Sequence, residues 1–147
     1  MRRFDMTDPW FWCLAVFGLG NLVNAVWMLA DPAGWYVGLP AAVPDTGPLN
    51  THFVRDIGSA FGVMGAALLW AAVRPALRVP MVAVVSLFYV LHALVHVTDT
   101  LAGRLPATHW SIDLPGVYAP TLVMIALTVA AQRSSQTARH VARQEAR

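Results

Sequence analysis

Hydrophobic positions along this chain gather into four runs separated by polar connections. Residues 9–30, 51–73, 81–102 and 115–132 are almost wholly apolar. Each falls within the ~17–25 residues that a helix needs to cross a bilayer core. Asp8-Pro9 opens the first run with an N-cap acceptor and a proline at the first helical position. Asn50 or Thr51 can cap the second, and the stretch from Arg74 to Pro80 makes a tight turn into the third. The pattern predicts an all-α fold, a four-transmembrane-helix bundle forming one integral membrane domain over residues 1–147. Loops are expected at 31–50 and 103–114. The tail at 133–147 is either an amphipathic surface helix or disordered. The first run is expected to be a retained span rather than a signal peptide, because its apolar part is too long for an h-region and no small-x-small cleavage pattern stands near Ala30.

Polar residues interrupt these runs in stripes. His92, His96 and Asp99 stand at i, i+4 and i+7 of the third run and share one face of a helix. Asn21, Asn24, Met28 and Asp31 share a face of the first. The second opens with Asn50-Thr51-His52-Phe53-Val54-Arg55-Asp56, where His52 and Asp56 are i, i+4 and Arg55 lies beside them. Further along, Gly58, Gly62 and Ala66 form a ridge of small residues suited to close helix packing. Ionisable groups on otherwise lipid-ready helices are costly and usually point toward a bundle interior or a wet cavity.

Composition sharpens this picture. The chain is 57% hydrophobic and 12% charged, against a charged share of about 25% in soluble proteins. Its net charge of +2 and lack of a basic patch with interleaved aromatics give no sign of nucleic-acid binding. The single cysteine, Cys13, excludes an internal disulfide or a thiolate cluster.

The arginines set an expected orientation. Arg2, Arg3, Arg74, Arg78, Arg133, Arg139, Arg143 and Arg147 lie at the N-terminus, the middle turn and the tail, whereas the other two loops hold only Arg104. By the positive-inside rule both termini are cytoplasmic, and loops 31–50 and 103–114 face outward, toward the periplasm or cell exterior. Asp56 then lies roughly 6 Å below the outer surface, His96 about 9 Å and His92 about 15 Å, with Asn24 and Asn21 at matching levels. All the candidate residues of the three stripes and of the loop around His109 and Asp113 fall in the outer half.

Imidazoles and carboxylates in this number suit a divalent transition metal such as Zn, Fe, Cu or Mn. The expected ligands are His52, Asp56, His92, His96 and Asp99. Arg55, Asn24, Asn21, Tyr89, His109 and Asp113 are candidates for orienting the ligands or holding a substrate. Such a site would suit metal-dependent catalysis. Three other readings stand beside it: a hydrogen-bonded polar plug that locks the helices together, a haem ligated by histidines from two helices, and a proton or quinone relay. Asp8 is expected to act only as a cap, Asp113 is as suited to capping the fourth span as to ligation, and the Tyr89 hydroxyl is expected to be satisfied by His92. The bilayer is the expected partner, with a homo-oligomer or a larger membrane complex as further assemblies.

The motifs Asn50-x-His52-Phe53-Val54-Arg55-Asp56-Ile57-Gly58, His92-Ala93-Leu94-x-His96-Val97-x-Asp99 and Asp113-Leu114-Pro115-Gly116 resemble those of small bacterial four-span membrane proteins of a loosely DoxX-like kind. The resemblance covers most of residues 9–132. It implies a four-helix membrane bundle and no particular activity. The arginine asymmetry predicts that cysteines introduced at Gly47 and Ala107 will react with an impermeant thiol reagent from outside the cell, and one at Ala76 will not. The reverse pattern would invert the topology.

Overall fold

Proline-led caps and small-residue contacts explain most of the architecture. A computed structural model describes residues 6–145. Met1-Arg2-Arg3 and Arg147, which entered the charge asymmetry, lie outside the described residues, as does the side chain of Arg139. The described chain is all-helical. Helix α1 spans Pro9–Ala30, α2 Pro32–Gly38, α3 Thr51–Val73, α4 Arg78–Leu101, α5 His109–Ile112 and α6 Ala119–Glu145. Single 3₁₀ turns stand at Val43–Thr46 and Pro75–Leu77, and a π turn at Leu114–Tyr118 leads into α6. Four segments are long and apolar enough to cross a membrane: Pro9–Ala30, Thr51–Val73, Pro75–Leu101 and Leu114–Gln144.

The helix starts follow local chemistry. Trp10 N–H donates to Asp8 Oδ1 at 3.0 Å, and Phe53 N–H to Asn50 Oδ1 at 3.0 Å. The Asp8-Pro9 signature recurs as Asp31-Pro32, with Gly34 N–H donating to Asp31 Oδ1 at 2.9 Å. The expected loop at 31–50 therefore begins with a short helix. α4 starts at Arg78, three residues ahead of the apolar run, because Pro80 sits in its first turn, where the missing N–H has no helical partner to lose. The tail expected to lie separately or be disordered continues α6. No glycine or proline occurs from 121 to 145, and alanine, glutamine and arginine favour the helix there.

α1 packs most intimately on α3, α3 on α4, and α4 on α6. Two glycines make the first of these contacts close. A Cβ at Gly65 would stand 2.7 Å from the Gly18 carbonyl oxygen, and one at Gly58 would stand 2.8 Å from Met28 Cβ. The small-residue seam thus runs through Gly58 and Gly65. Gly62 sits more loosely and Ala66, expected on the ridge, is exposed.

The apolar core lies toward the Pro75 turn. Leu14, Leu68, Ala71, Ala72, Val82, Val85 and Met124 are buried together there. At the same end Arg78 Nη2 lies 2.6 Å from Asp8 Oδ2, with its guanidinium over Trp10 at 5.8 Å. Asp8 is therefore a cap and an ion-pair partner at once. Midway along the bundle, Tyr89 Oη accepts from Asn21 Nδ2 at 3.0 Å, and Thr121 Oγ1 donates to the Tyr89 carbonyl at 3.1 Å. Asn21, not His92, satisfies the tyrosine, and this buried tie joins α1, α4 and α6.

Gly65→Ala is expected to destabilise the fold by about 1–3 kcal/mol, since the added methyl meets backbone rather than a yielding side chain. Gly20→Ala meets open space and should be neutral or stabilising by up to about 1 kcal/mol. Equilibrium unfolding in detergent compares the two, and equal stability of the variants would contradict the seam.

Candidate metal centre

The end of the bundle away from the apolar core is built from the C-terminal part of α4, the two long connections and the start of the last span. α4 carries His92 and His96 there. The chain then leaves the helix through Gly103, whose φ of +70° suits a residue without Cβ. It forms α5, whose first residue His109 and C-cap residue Asp113 stand four residues apart and so meet on one face. Immediately after, Val117 N–H and Tyr118 N–H both donate to the Asp113 carbonyl, at 2.8 and 3.1 Å. That widened turn is the π turn, a geometry often found at functional sites. Proline at 115, which has no N–H to give, stands inside it.

These elements aim two imidazoles at one carboxylate. His96 Nδ1 lies 2.8 Å from Asp113 Oδ2, and His109 Nδ1 lies 3.2 Å from both oxygens. Asp113 is 1% exposed and His109 0%; His96 is partly buried. One ligand atom from each of the three lies within 4.8 Å of the others. Asp113 makes no side-chain cap to the following helix. Of the two roles open to it in the sequence, capping gives way to imidazole contact, and among the described residues its ion-pairing partners are histidines alone.

A second carboxylate reaches the site from the first connection. Ala42, with φ of +46°, turns the chain into the 3₁₀ turn Val43–Thr46, and Tyr36 Oη donates to the Gly47 carbonyl at 2.6 Å on its far side. Asp45 Oδ2 comes to 3.3 Å from His109 Nε2. His109 thus lies between two carboxylates, one at each ring nitrogen. Asp45 was not among the residues singled out from the sequence. The available signal was its position in one of the two loops assigned to the same side of the membrane as His109.

The expected five-residue set does not converge. His52 and Asp56 face outward, with side chains 88% and 63% exposed, and pair with each other at 3.3 Å. They lie on the stripe that continues through Ser59, Val63, Ala66 and Trp70, all exposed, because Gly58 and Gly65 turn the opposite face of α3 toward α1. Asp99 pairs with Arg104 at 2.7 Å rather than with the imidazoles. His92 stands beside the group, its ring centroid 4.7 Å from that of His96 at 70°, and stacks on Phe88 at 5.9 Å. Arg55 Nε reaches the Leu29 carbonyl at 3.4 Å instead of a carboxylate. Asn24 accepts from Trp35 Nε1 at 2.8 Å, which fastens α2 against α1. His96 stays central from the expected ligands; His109 and Asp113 join it from the residues expected to orient or assist.

Compared with known proteins, the chain matches no family model, no curated protein and no solved structure.

Proposed function

We propose that His96, His109 and Asp113 bind a divalent transition metal ion, and that the chain is a multi-pass metal-binding protein of a bacterial cytoplasmic membrane. The observation that carries this reading is the Asp113 carboxylate, 1% exposed and faced by two imidazole nitrogens, with no arginine among the described residues paired to it. An uncompensated carboxylate in such a setting costs several kcal/mol. A divalent cation offsets that cost and uses the imidazoles in their neutral form. Two nitrogens and one carboxylate oxygen suit Zn, Fe or Mn, and imidazole also takes Cu. The ligand atoms, all within 4.8 Å of one another, would have to adjust to the ion. Ligand pairs around a tetrahedral ion with bonds of about 2.0–2.1 Å stand about 3.3 Å apart; the His109 contacts are already near that value, and the 2.8 Å His96 contact would open slightly.

Asp45 strengthens the reading. A ligating histidine almost always donates its other ring N–H to a carboxylate, carbonyl or water, and Asp45 stands at Nε2 of His109. With both termini cytoplasmic, the site would open toward the cell exterior or periplasm, and an ion held there could act as a Lewis acid or activate water. Haem fits the geometry poorly: axial ligands must face each other across a macrocycle, and here a carboxylate fills the space between the rings. A DoxX-like four-span bundle remains our proposal for the family.

The second reading is a hydrogen-bonded plug, favoured by the short 2.8 Å His96–Asp113 contact, which a protonated imidazole and a carboxylate would make without an ion. Metal content separates the two. Protein grown with Zn, Fe, Cu and Mn, and purified without a His-tag, should carry about one ion per chain by mass spectrometry. His96→Asn and Asp113→Asn should lose it, amides being poor ligands for such metals. Sub-stoichiometric metal in the wild type would decide for the plug.

A further inference from the structure

Three of the four spans present lipid with apolar side chains. α1 turns Val16, Leu19 and Val23 outward, α4 Leu87 and Leu91, and the last span Leu122. α3 is different. Opposite its Gly58 and Gly65 contacts it exposes His52, Asp56, Ser59, Val63, Ala66 and Trp70. These positions alternate four and three residues apart without a break, the spacing of a left-handed coiled-coil seam. Ser59 and Ala66, seven residues apart, keep the middle of the seam small, which lets a second backbone come close.

The head of the seam is charged. Asp56 lies five residues into α3, about 7.5 Å along the helix. Its ion-pairing partner among the described residues is His52, itself exposed; the neighbouring Arg55 is turned to the Leu29 carbonyl. Ionisable groups within a span almost always face protein or water and pair with one another. A face that carries an acid and an imidazole one turn apart is also complementary to itself.

We propose that this face of α3 packs against the same face of a second copy of the chain, about a two-fold axis along the membrane normal. Insertion in one membrane sets the two copies parallel and at equal depth. Ala66 then meets Ala66, and His52 of each copy reaches Asp56 of the other, so that each carboxylate lies between two imidazoles. The interface is isologous, with one patch serving both sides. It stands on the face of α3 away from the core and does not depend on the metal reading.

Cysteine cross-linking in membranes tests the seam. Cys13, exposed on α1, is first replaced by alanine. Ala66→Cys then puts a thiol on the seam, and Leu87→Cys puts one on the outward face of α4. A disulfide needs Cα atoms within about 7 Å. Under iodine, Ala66→Cys should form a covalent dimer and Leu87→Cys should not. Equal cross-linking of the two would overturn the seam. A disulfide from Ala66→Cys to a protein of another mass, in place of the dimer, would give the face to a different partner and overturn the second copy. Sedimentation in detergent tests the charged head. His52→Asp leaves acids alone on the face and Asp56→His leaves imidazoles alone. Each should self-associate about tenfold or more weakly than wild type, and a mixture of the two should recover the wild-type affinity. Variants that self-associate as well as wild type, or that melt like wild type and stay monomeric when mixed, would overturn the contact between His52 and Asp56.

Discussion

The end of this protein that carries the histidines is organised by one constraint: the Asp113 carboxylate is buried and must be balanced by what surrounds it. Two imidazoles meet it from different elements, His96 from α4 and His109 from α5. The π turn sets it at the head of the last span, and Asp45 joins the group from the first connection. No single helix could bring these together. The polar group therefore fastens the two long connections to the transmembrane helices, in a region where small apolar contacts give little grip. Its cost in desolvation makes the group worth retaining only if it is fully compensated, and the divalent ion proposed above would supply that compensation in the fewest parts.

Along its length the bundle changes character. Near the Pro75 turn it is held by an apolar core and by Arg78 against Asp8 and Trp10. Midway, Asn21, Tyr89 and Thr121 make a neutral buried tie across three helices. At the far end the contacts are between titratable groups. Within a membrane, helices gain little from burying apolar surface against each other rather than against lipid, so close backbone approach and polar ties decide the packing. The seam of Gly18, Gly58 and Gly65 supplies the first, and the Asn21–Tyr89 pair supplies the second.

The four spans were legible because length and continuous hydrophobicity constrain a bilayer-crossing segment more tightly than any local propensity. Helix starts at Pro9 and Thr51 followed from side-chain caps. α2 was readable in principle, since Asp31-Pro32 repeats the signature of Asp8-Pro9, but the glycines and prolines that follow hid it. The i, i+4 spacing of His52 and Asp56 told truly that they share a face; it could not tell which face. Gly58 held that answer, for it stands two residues from Asp56, about 200° around the helix, so the glycine seam and the polar stripe could not both meet α1. His96 emerged from its stripe. The partnership of His109 with Asp113 depends on a four-residue helix between two turns, and that of Asp45 on a residue with positive φ. The i, i+4 spacing of His109 and Asp113 is present in the sequence, but a single helical turn has no apolar period to reveal it, and the approach of Asp45 leaves no periodic trace at all.

X-ray absorption at the metal edge tests the central claim most directly, because it sees the atoms around the ion without reference to activity. On purified, zinc-loaded protein the fine structure should fit two imidazole nitrogens and carboxylate oxygen at about 2.0–2.1 Å, with the multiple scattering that imidazole rings give. His109→Asn should lose one of the two imidazole contributions. A shell of oxygen alone, without imidazole scattering, would place the ion elsewhere and leave Asp113 as the centre of a hydrogen-bonded plug.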